Sequence, residues 1–302
     1  MKIIEIEQFD QIEENNDLAL CLGFFDGFHL GHMSLFNKAL ENNKHVGMMT
    51  FDISPKNYLN HNQGWPSLLS LSDKADFLEK IGFDYFYILR LNDELLNMTS
   101  NEFIEEILKR INPSKIYCGK DYTFGRFGAG TPEDLKEHFN VDVVDLLKSG
   151  EQKVSTHDVI VNIENGHIEK ANSLLGRNYS LIGLVVEGNK VGTSIGFPTA
   201  NLKLDFNYVL PKVGVYVGYA VYMGRRYKAV ISISTHPSIF ELKAPIIEVH
   251  FLNFEGNLYG KEIKVEFVSY IRDIVKFDSL ESLKKQIGDD KEKARELTKL
   301  EK

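Results

Sequence analysis

The chain changes its hydrophobic grammar once, near Tyr179, and that change limits the folds open to it. Up to about residue 150, strand-like apolar runs alternate with segments of helical spacing. The runs are Leu18–Gly23, His45–Phe51, Tyr85–Leu89, Lys115–Gly119 and Val141–Leu146. The helical segments lie near Met33–Glu41, Lys74–Ile81, Asn101–Ile111 and Pro132–His138, the last opened by Thr131 as N-cap and Pro132 at its first position. Such alternation predicts an α/β, doubly wound parallel sheet with helices on both faces. Beyond Tyr179 the runs Tyr179–Glu187, Gly214–Met223, Tyr227–Ser234, Ile246–Phe251 and Glu262–Tyr270 follow one another without helices, punctuated by turn signals such as Gly188-Asn189 and Gly224-Arg225. Short antiparallel strands at that spacing predict a small barrel or sandwich. An amphipathic helix capped by Asp278 or Ser279 and running through Leu280, Leu283 and Ile287 completes the pattern. Residues 151–178 read as the join, with a short helix at Ile168–Leu175.

The 302 residues leave room for two domains, and 43% hydrophobic with 26% charged residues describes a soluble globular chain. A formal net charge of −8 supplies no basic stripe, so no nucleic-acid partner is expected. A phosphate ligand needs only a few local donors and stays open. No stretch approaches the ~20 apolar residues of a membrane span. The segment Met1-Lys2-Ile3-Ile4-Glu5 lacks the apolar core of a signal peptide, which points to the cytoplasm and away from membranes. Cys21 and Cys118 both fall in predicted buried strands and read as packing residues. Nothing in the sequence speaks to oligomeric state.

Two segments carry chemistry. Gly23-Phe24-Phe25-Asp26-Gly27-Phe28-His29-Leu30-Gly31-His32 sits where a predicted strand hands over to a predicted helix. The free N–H groups and dipole of that helix N-terminus favour phosphate. Gly27 and Gly31 let backbone approach an anion closely, and His29 and His32 add donors to it. The second segment is Gly192-Thr193-Ser194-Ile195-Gly196-Phe197-Pro198-Thr199-Ala200-Asn201-Leu202, where two glycines and Pro198 fix an unusual path. Thr199 and Asn201 fall on one face if extended, and their oxygens suit Mg²⁺ carrying nucleotide phosphates. Capping of nearby backbone by the same two side chains is the alternative.

The His29-Leu30-Gly31-His32 run resembles the HxGH signature of the nucleotidyltransferase superfamily. Gly176-Arg177-Asn178-Tyr179-Ser180, Gly196–Asn201, Leu210–Tyr216, Glu248-Val249-His250, Tyr259-Gly260-Lys261, Ile271-Arg272-Asp273 and Lys276–Leu280 occur in order and resemble the riboflavin kinase domain. Together these motifs resemble the bacterial bifunctional riboflavin kinase/FMN adenylyltransferases, also called FAD synthetases. The resemblance implies a nucleotidyltransferase domain over residues 1–160, a linker over 161–178 and a six-stranded antiparallel β-barrel with a terminal helix over 179–302. It implies that riboflavin is phosphorylated by Mg-ATP to FMN, and that FMN is joined to AMP from a second ATP, giving FAD and pyrophosphate. Glu248 then matches the base for the ribityl hydroxyl, and Thr199 and Asn201 match the Mg-ATP positions, with Lys190, Gly196 and Pro198 in the phosphate loop. His29 and His32 match stabilisers of the α-phosphate, and Gly23, Phe24, Asp26 and Gly31 belong to their lead-in. Ser155 and Thr156 are the surviving hydroxyls of a phosphate segment, while Asp121 and Arg272 match flavin positions. On residue type alone, Glu248 also suits an exposed strand and Arg272 also suits an ion pair with Asp273.

Departures from the family pattern occur in both halves, and those in the first domain fall around the triphosphate. Ser54-Pro55 stands where His-Pro is usual, and Asp158 and Ile160 stand where basic residues are expected. In the kinase half, Ser232 replaces an Asn, Val191 and Thr193 replace often basic residues, and Ile274 replaces a Glu. Missing cations predict weak neutralisation of a triphosphate in the first domain. A riboflavin kinase with a degenerate adenylyltransferase domain, or a flavin-binding regulatory protein without turnover, are the alternatives.

Overall fold

The structure, a computed structural model, describes residues 1–9, 12–60, 65–145, 148–149, 152–188, 197–235 and 245–299. Contacts divide the chain into two compact units, Met1–Thr156 and His157–Lys302.

The first unit is a six-stranded sheet of β1 (Lys2–Ile6), β2 (Leu18–Leu22), β3 (His45–Phe51), β4 (Tyr85–Leu89), β5 (Lys115–Gly119) and β6 (Val141–Val144). Its strand order is β1-β4-β3-β2-β5-β6, with every pairing parallel. β2 is buried throughout, as its unbroken apolar run requires of a central parallel strand. Its alternate residues feed two cores. Cys21 packs with α1 (Leu30–Asn42) and α3 (Leu71–Ile81) on one face. Leu20 and Leu22 pack on the other face with the helical stretch opened by α5 (Ser100–Phe103). That stretch continues through a π-helical turn, Ile104–Leu108, into α6 (Lys109–Ile111). Helices thus cover both faces, as the alternation predicts. Cys118 belongs to the second core, opposite the face that holds Cys21. Both thiols are free, and burial pushes Cys118 up to about 12 and Cys21 well above its usual value, so both are inert packing groups.

Three shorter helices complete this unit: α2 (Pro55–Leu59), α4 (Asp93–Asn97) and α7 (Pro132–Lys136). Asp134 closes the start of α7 by accepting from the Thr131 N–H at 2.7 Å and from its hydroxyl at 2.8 Å. A two-stranded ribbon, β7 (Lys148–Ser149) and β8 (Gln152–Lys153), follows β6.

α8 (Thr156–Glu164) and α9 (Ile168–Leu175) lead into the second unit. α9 is docked there: Asn172 accepts from the Tyr179 N–H at 2.7 Å and donates to the Phe267 carbonyl at 2.9 Å. The unit itself is a closed barrel ordered β10-β13-β12-β11-β14-β9. Its strands are β9 (Tyr179–Val186), β10 (Ala200–Lys203), β11 (Gly214–Tyr222), β12 (Arg225–Thr235), β13 (Pro245–Phe251) and β14 (Glu262–Arg272), all paired antiparallel. Register shifts between β11 and β14 supply the curvature that closure demands, and at one of them a Cβ on Gly218 would overlap the Glu266 carbonyl. Of the two residues read as caps for the last helix, Ser279 is the one used: its Oγ accepts the Ser282 N–H at 3.2 Å at the start of α10 (Leu280–Leu297).

Candidate active sites

In the sheet unit, connections diverge on either side of β2 and β5, which pair side by side. Ligands of open parallel sheets bind at the carboxyl ends of such strands. The segment leaving β2 supplies His29 as N-cap of α1, with its Nδ1 accepting the His32 N–H at 3.4 Å. The two imidazoles stack with centroids 3.6 Å apart and planes 20° from parallel, and Phe25 meets His32 edge-on at 5.2 Å. Backbone conformation here is unusual: Phe25 and Phe28 adopt φ of 49° and 45°, and Gly27 83°. Left-handed phenylalanines are costly and persist only where surroundings hold them, a condition met most often at functional sites.

Several residues predicted to line the phosphate are engaged in holding this loop. The Asp26 carboxylate accepts from the Leu68 N–H at 3.0 Å and the Leu69 N–H at 3.3 Å. Burial raises its pKa against the opposing charge of Lys74 and these amides. The Phe24 carbonyl accepts from Thr50 Oγ1 and from Lys74 Nζ, each at 2.9 Å. Thr156 donates to the Asp26 carbonyl at 3.2 Å, so this hydroxyl too braces the loop. Gly23 leaves β2 beneath the Phe25 ring, Gly31 is buried in the first turn of α1, and Ser155 immediately precedes α8. Ser54, where an imidazole was expected, caps α2 by accepting the Asn57 N–H at 3.2 Å, with Pro55 at the first helical position. Asp158 lies in the first turn of α8, where a carboxylate suits the helix dipole, and Ile160 is half-buried on the same helix. Asp121 is exposed in the turn after β5, closed by the Tyr122 N–H on the Gly119 carbonyl at 3.0 Å. A 570 Å³ cleft runs along β1 at the far edge of the sheet, but Glu5, Glu7, Glu13 and Glu14 line it and disfavour an anion.

The barrel site is set by register. Glu248 on β13 lies opposite Asn201 on β10 and opposite Ser232 on β12, so the three side chains share one rung of one face. Their neighbours Ala200, Leu202, Ile231, Ile233, Ile247 and Val249 are buried, whereas the three themselves are half-exposed. The rung therefore sits on the outer surface of the barrel. Among the described residues Glu248 has no hydrogen-bond or ion-pair partner, and burial alone raises its pKa. A half-buried carboxylate without a donor is poised to accept a proton. The Asn201 amide packs so close to Gly188 that any Cβ there would overlap it. Phe197-Pro198-Thr199 is clamped from two sides. His250 Nδ1 meets the Pro198 carbonyl at 2.8 Å, and Lys291 of α10 lies 5.1 Å from the Phe197 ring centroid. The expected phosphate-loop residues Lys190 and Gly196, with Val191 and Thr193, lie outside the described residues.

Arg272, matched to a flavin position with an Asp273 ion pair as the alternative, does not make that ion pair. Its guanidinium grips the Asp290 carboxylate of α10 at 3.1 and 2.7 Å, and Gln286 adds 3.1 Å to the same group. Asp273 pairs instead with Lys212 at 3.0 Å and Tyr270 at 2.6 Å. Because Asp290 is 1% exposed, Asp290→Ala should cost about 3–5 kcal/mol in unfolding free energy by stranding the arginine, as read from denaturant titration. A loss below 1 kcal/mol would mean that the pair is not what holds α10.

Residues that sequence patterns did not reveal at these sites are Thr50, Lys74, His250, Asp290 and Lys291. Only His250 carried a local signal, the strand alternation that places it on the face of Glu248.

One unit offers stacked imidazoles at a helix N-terminus, the other a carboxylate without a partner among the described residues beside an amide and a hydroxyl on the same rung, and together they fit one class: an enzyme of phosphate esters with a site in each unit. The FAD synthetase family model matches residues 11–158, and the riboflavin kinase model residues 175–298. A bifunctional riboflavin kinase/FMN adenylyltransferase of Bacillus subtilis is 33% identical, with 93% of each chain covered. One of Listeria monocytogenes is 31% identical, with 98% of each covered. A crystal structure of a macrolide-efflux protein from Streptococcus pneumoniae superposes with a TM-score of 0.92 at 32% identity, covering 98% of this chain and 99% of that one. Among the described residues, no helix is long and apolar enough to cross a membrane. The chain belongs to the bifunctional riboflavin kinase/FMN adenylyltransferase family.

Proposed function

We infer that the chain phosphorylates riboflavin to FMN on its barrel and adenylylates FMN to FAD on its parallel sheet, with ATP as donor in both steps. The reading rests chiefly on one observation in the barrel, Glu248, without a partner among the described residues, on the rung of Asn201. In FMN formation Glu248 takes the proton of the ribityl 5′-hydroxyl as that oxygen attacks the γ-phosphorus of ATP, and ADP leaves. Thr199 and Asn201 offer neutral oxygens, and no trio of His, Cys, Asp or Glu among the described residues forms a ready-made metal cage. That donor set fits a Mg²⁺ that arrives on ATP with phosphate oxygens of its own. The ion would supply charge neutralisation of the phosphates. In FAD formation a phosphate oxygen of FMN attacks the α-phosphorus, pyrophosphate leaves, and His29 and His32 stabilise the charge that develops. We assign residues 1–160 to this second step, 161–178 to the link and 179–302 to the kinase, with Asp121 and Arg272 near the flavins and the protein in the cytoplasm.

Incubation with riboflavin, ATP and Mg²⁺, followed by separation of the three flavins, tests the reading. FMN followed by FAD is expected. FMN alone would leave only the kinase, and unchanged riboflavin would defeat both activities. Thr199→Val keeps shape and deletes one oxygen, so it should raise the KM for Mg-ATP and lower FMN formation about tenfold, the value of roughly one net hydrogen bond to a charged group. Riboflavin affinity, measured by flavin fluorescence, should change far less. A variant that uses Mg-ATP like the parent would place the metal elsewhere.

A further inference from the structure

We propose that Lys74 is a positioning residue for adenylyl transfer: its buried ammonium fixes the left-handed Phe24–Phe28 loop that delivers His29 and His32 to the α-phosphate. The proposal rests on the adenylyltransferase reading and adds to it a residue that touches neither substrate. Lys74 lies in the first turns of α3 and is 2% exposed. Its Nζ donates to the Phe24 carbonyl at 2.9 Å and stands 4.4 Å from the Phe24 ring centroid, so one cation holds that residue by both its backbone and its ring. Thr50, on β3, donates to the same carbonyl at 2.9 Å.

These contacts close a circuit. From Phe24 the chain runs to Asp26, whose carboxylate holds the Leu68 and Leu69 amides at 3.0 and 3.3 Å. Ser70 follows as the N-cap of α3, locked by a reciprocal capping box with Asp73. α3 then returns Lys74 to Phe24. Inside the circuit lie Phe25 at φ 49°, Gly27 at 83° and Phe28 at 45°, and immediately after it His29 opens α1. Three left-handed residues within four positions do not hold themselves. Restraint at Phe24 and Asp26 is what keeps the histidines in register.

A charge serves this end where an apolar side chain of equal length would not. Burial lowers Lys74 to about 8 and raises Asp26, and each charge opposes the other's shift. Removing the ammonium leaves the Asp26 carboxylate buried without its counter-charge, which loosens the amides it holds. A merely structural lysine predicts loss of the whole chain's stability. A positioning lysine predicts loss of one rate.

Lys74→Met keeps the stem and deletes the charge. Misplacement of reacting groups by about 1 Å costs on the order of 10²-fold. FAD formation from FMN should therefore lose about 10²-fold in kcat, with the KM for ATP changed little. FMN formation by the barrel of the same molecule should be unaltered and serves as the control for folding. In the double variant Lys74→Met/Asp26→Asn the stranded charge is gone, and part of the lost kcat should return. A Lys74→Met enzyme within threefold of the parent kcat would overturn the proposal. So would a loss shared equally by FMN formation, or a double variant no better than the single one. A parent that makes FMN and no FAD would defeat the adenylyltransferase reading itself, and the proposal with it.

Discussion

Glu248→Gln is expected to lower FMN formation from riboflavin by 10²–10⁴-fold, the usual contribution of a general base, while ATP binding and the barrel persist. The substitution is nearly isosteric and removes only the capacity to take a proton. It also disturbs little, since Glu248 has no partner among the described residues to lose. The pH profile gives a second handle. Burial raises the Glu248 pKa, so the active carboxylate form is lost on acidification at a pH above the ~4.3 of an ordinary glutamate. kcat/KM for FMN formation should fall with that midpoint on the acid side and hold level above it. The residual rate of the glutamine variant should lack the limb. FMN production within threefold of the parent, or an unchanged acid limb, would take Glu248 out of the reaction.

The parallel half was legible because each buried strand and each helix carries its own period. β3, β4 and β5 and the helix Ile168–Leu175 fall on the residues expected of them. β1 was not legible: it is an edge strand whose pattern leaves only Ile6 buried, so its apolar residues do not alternate with a core. β10 has four residues and owes its existence to the barrel, which it closes by pairing with β9 and β13. The same distinction separates the site residues. His29, His32, Asn201 and Glu248 stand out because their chemistry is anomalous for their local surroundings. Lys74 and Asp290 look like solvated helix residues in sequence, since most charges in amphipathic helices are. Their burial comes from partners 50 and 18 positions away, Phe24 and Arg272, which local spacing cannot report. Asp26 reads as a phosphate neighbour because it lies in the histidine segment. The structure spends its carboxylate on the backbone of residues 68 and 69.

His29→Asn and His32→Ala should each slow FAD formation from FMN by about 10²–10³-fold, the cost of removing one donor from developing transition-state charge. The two replacements differ by design. His29 accepts the His32 N–H at the start of α1, so alanine there would remove both an imidazole and a helix cap. Asparagine is a favoured N-cap residue and isolates the imidazole. At His32 the group His29 caps is the backbone N–H, and the ring stacks on His29 at 3.6 Å and meets the edge of Phe25 at 5.2 Å. Alanine at 32 therefore removes the imidazole and leaves the backbone N–H that His29 caps. FMN formation in the same sample should stay at the parental rate, because Glu248, Asn201 and Thr199 belong to the other compact unit. The most telling comparison is the ratio of FAD to FMN produced from riboflavin over time. In the parent it rises as FMN is consumed. In both variants it should remain near zero while FMN accumulates. A ratio that climbs at the parental rate in either variant would show that the stacked histidines are only the capping apparatus of α1.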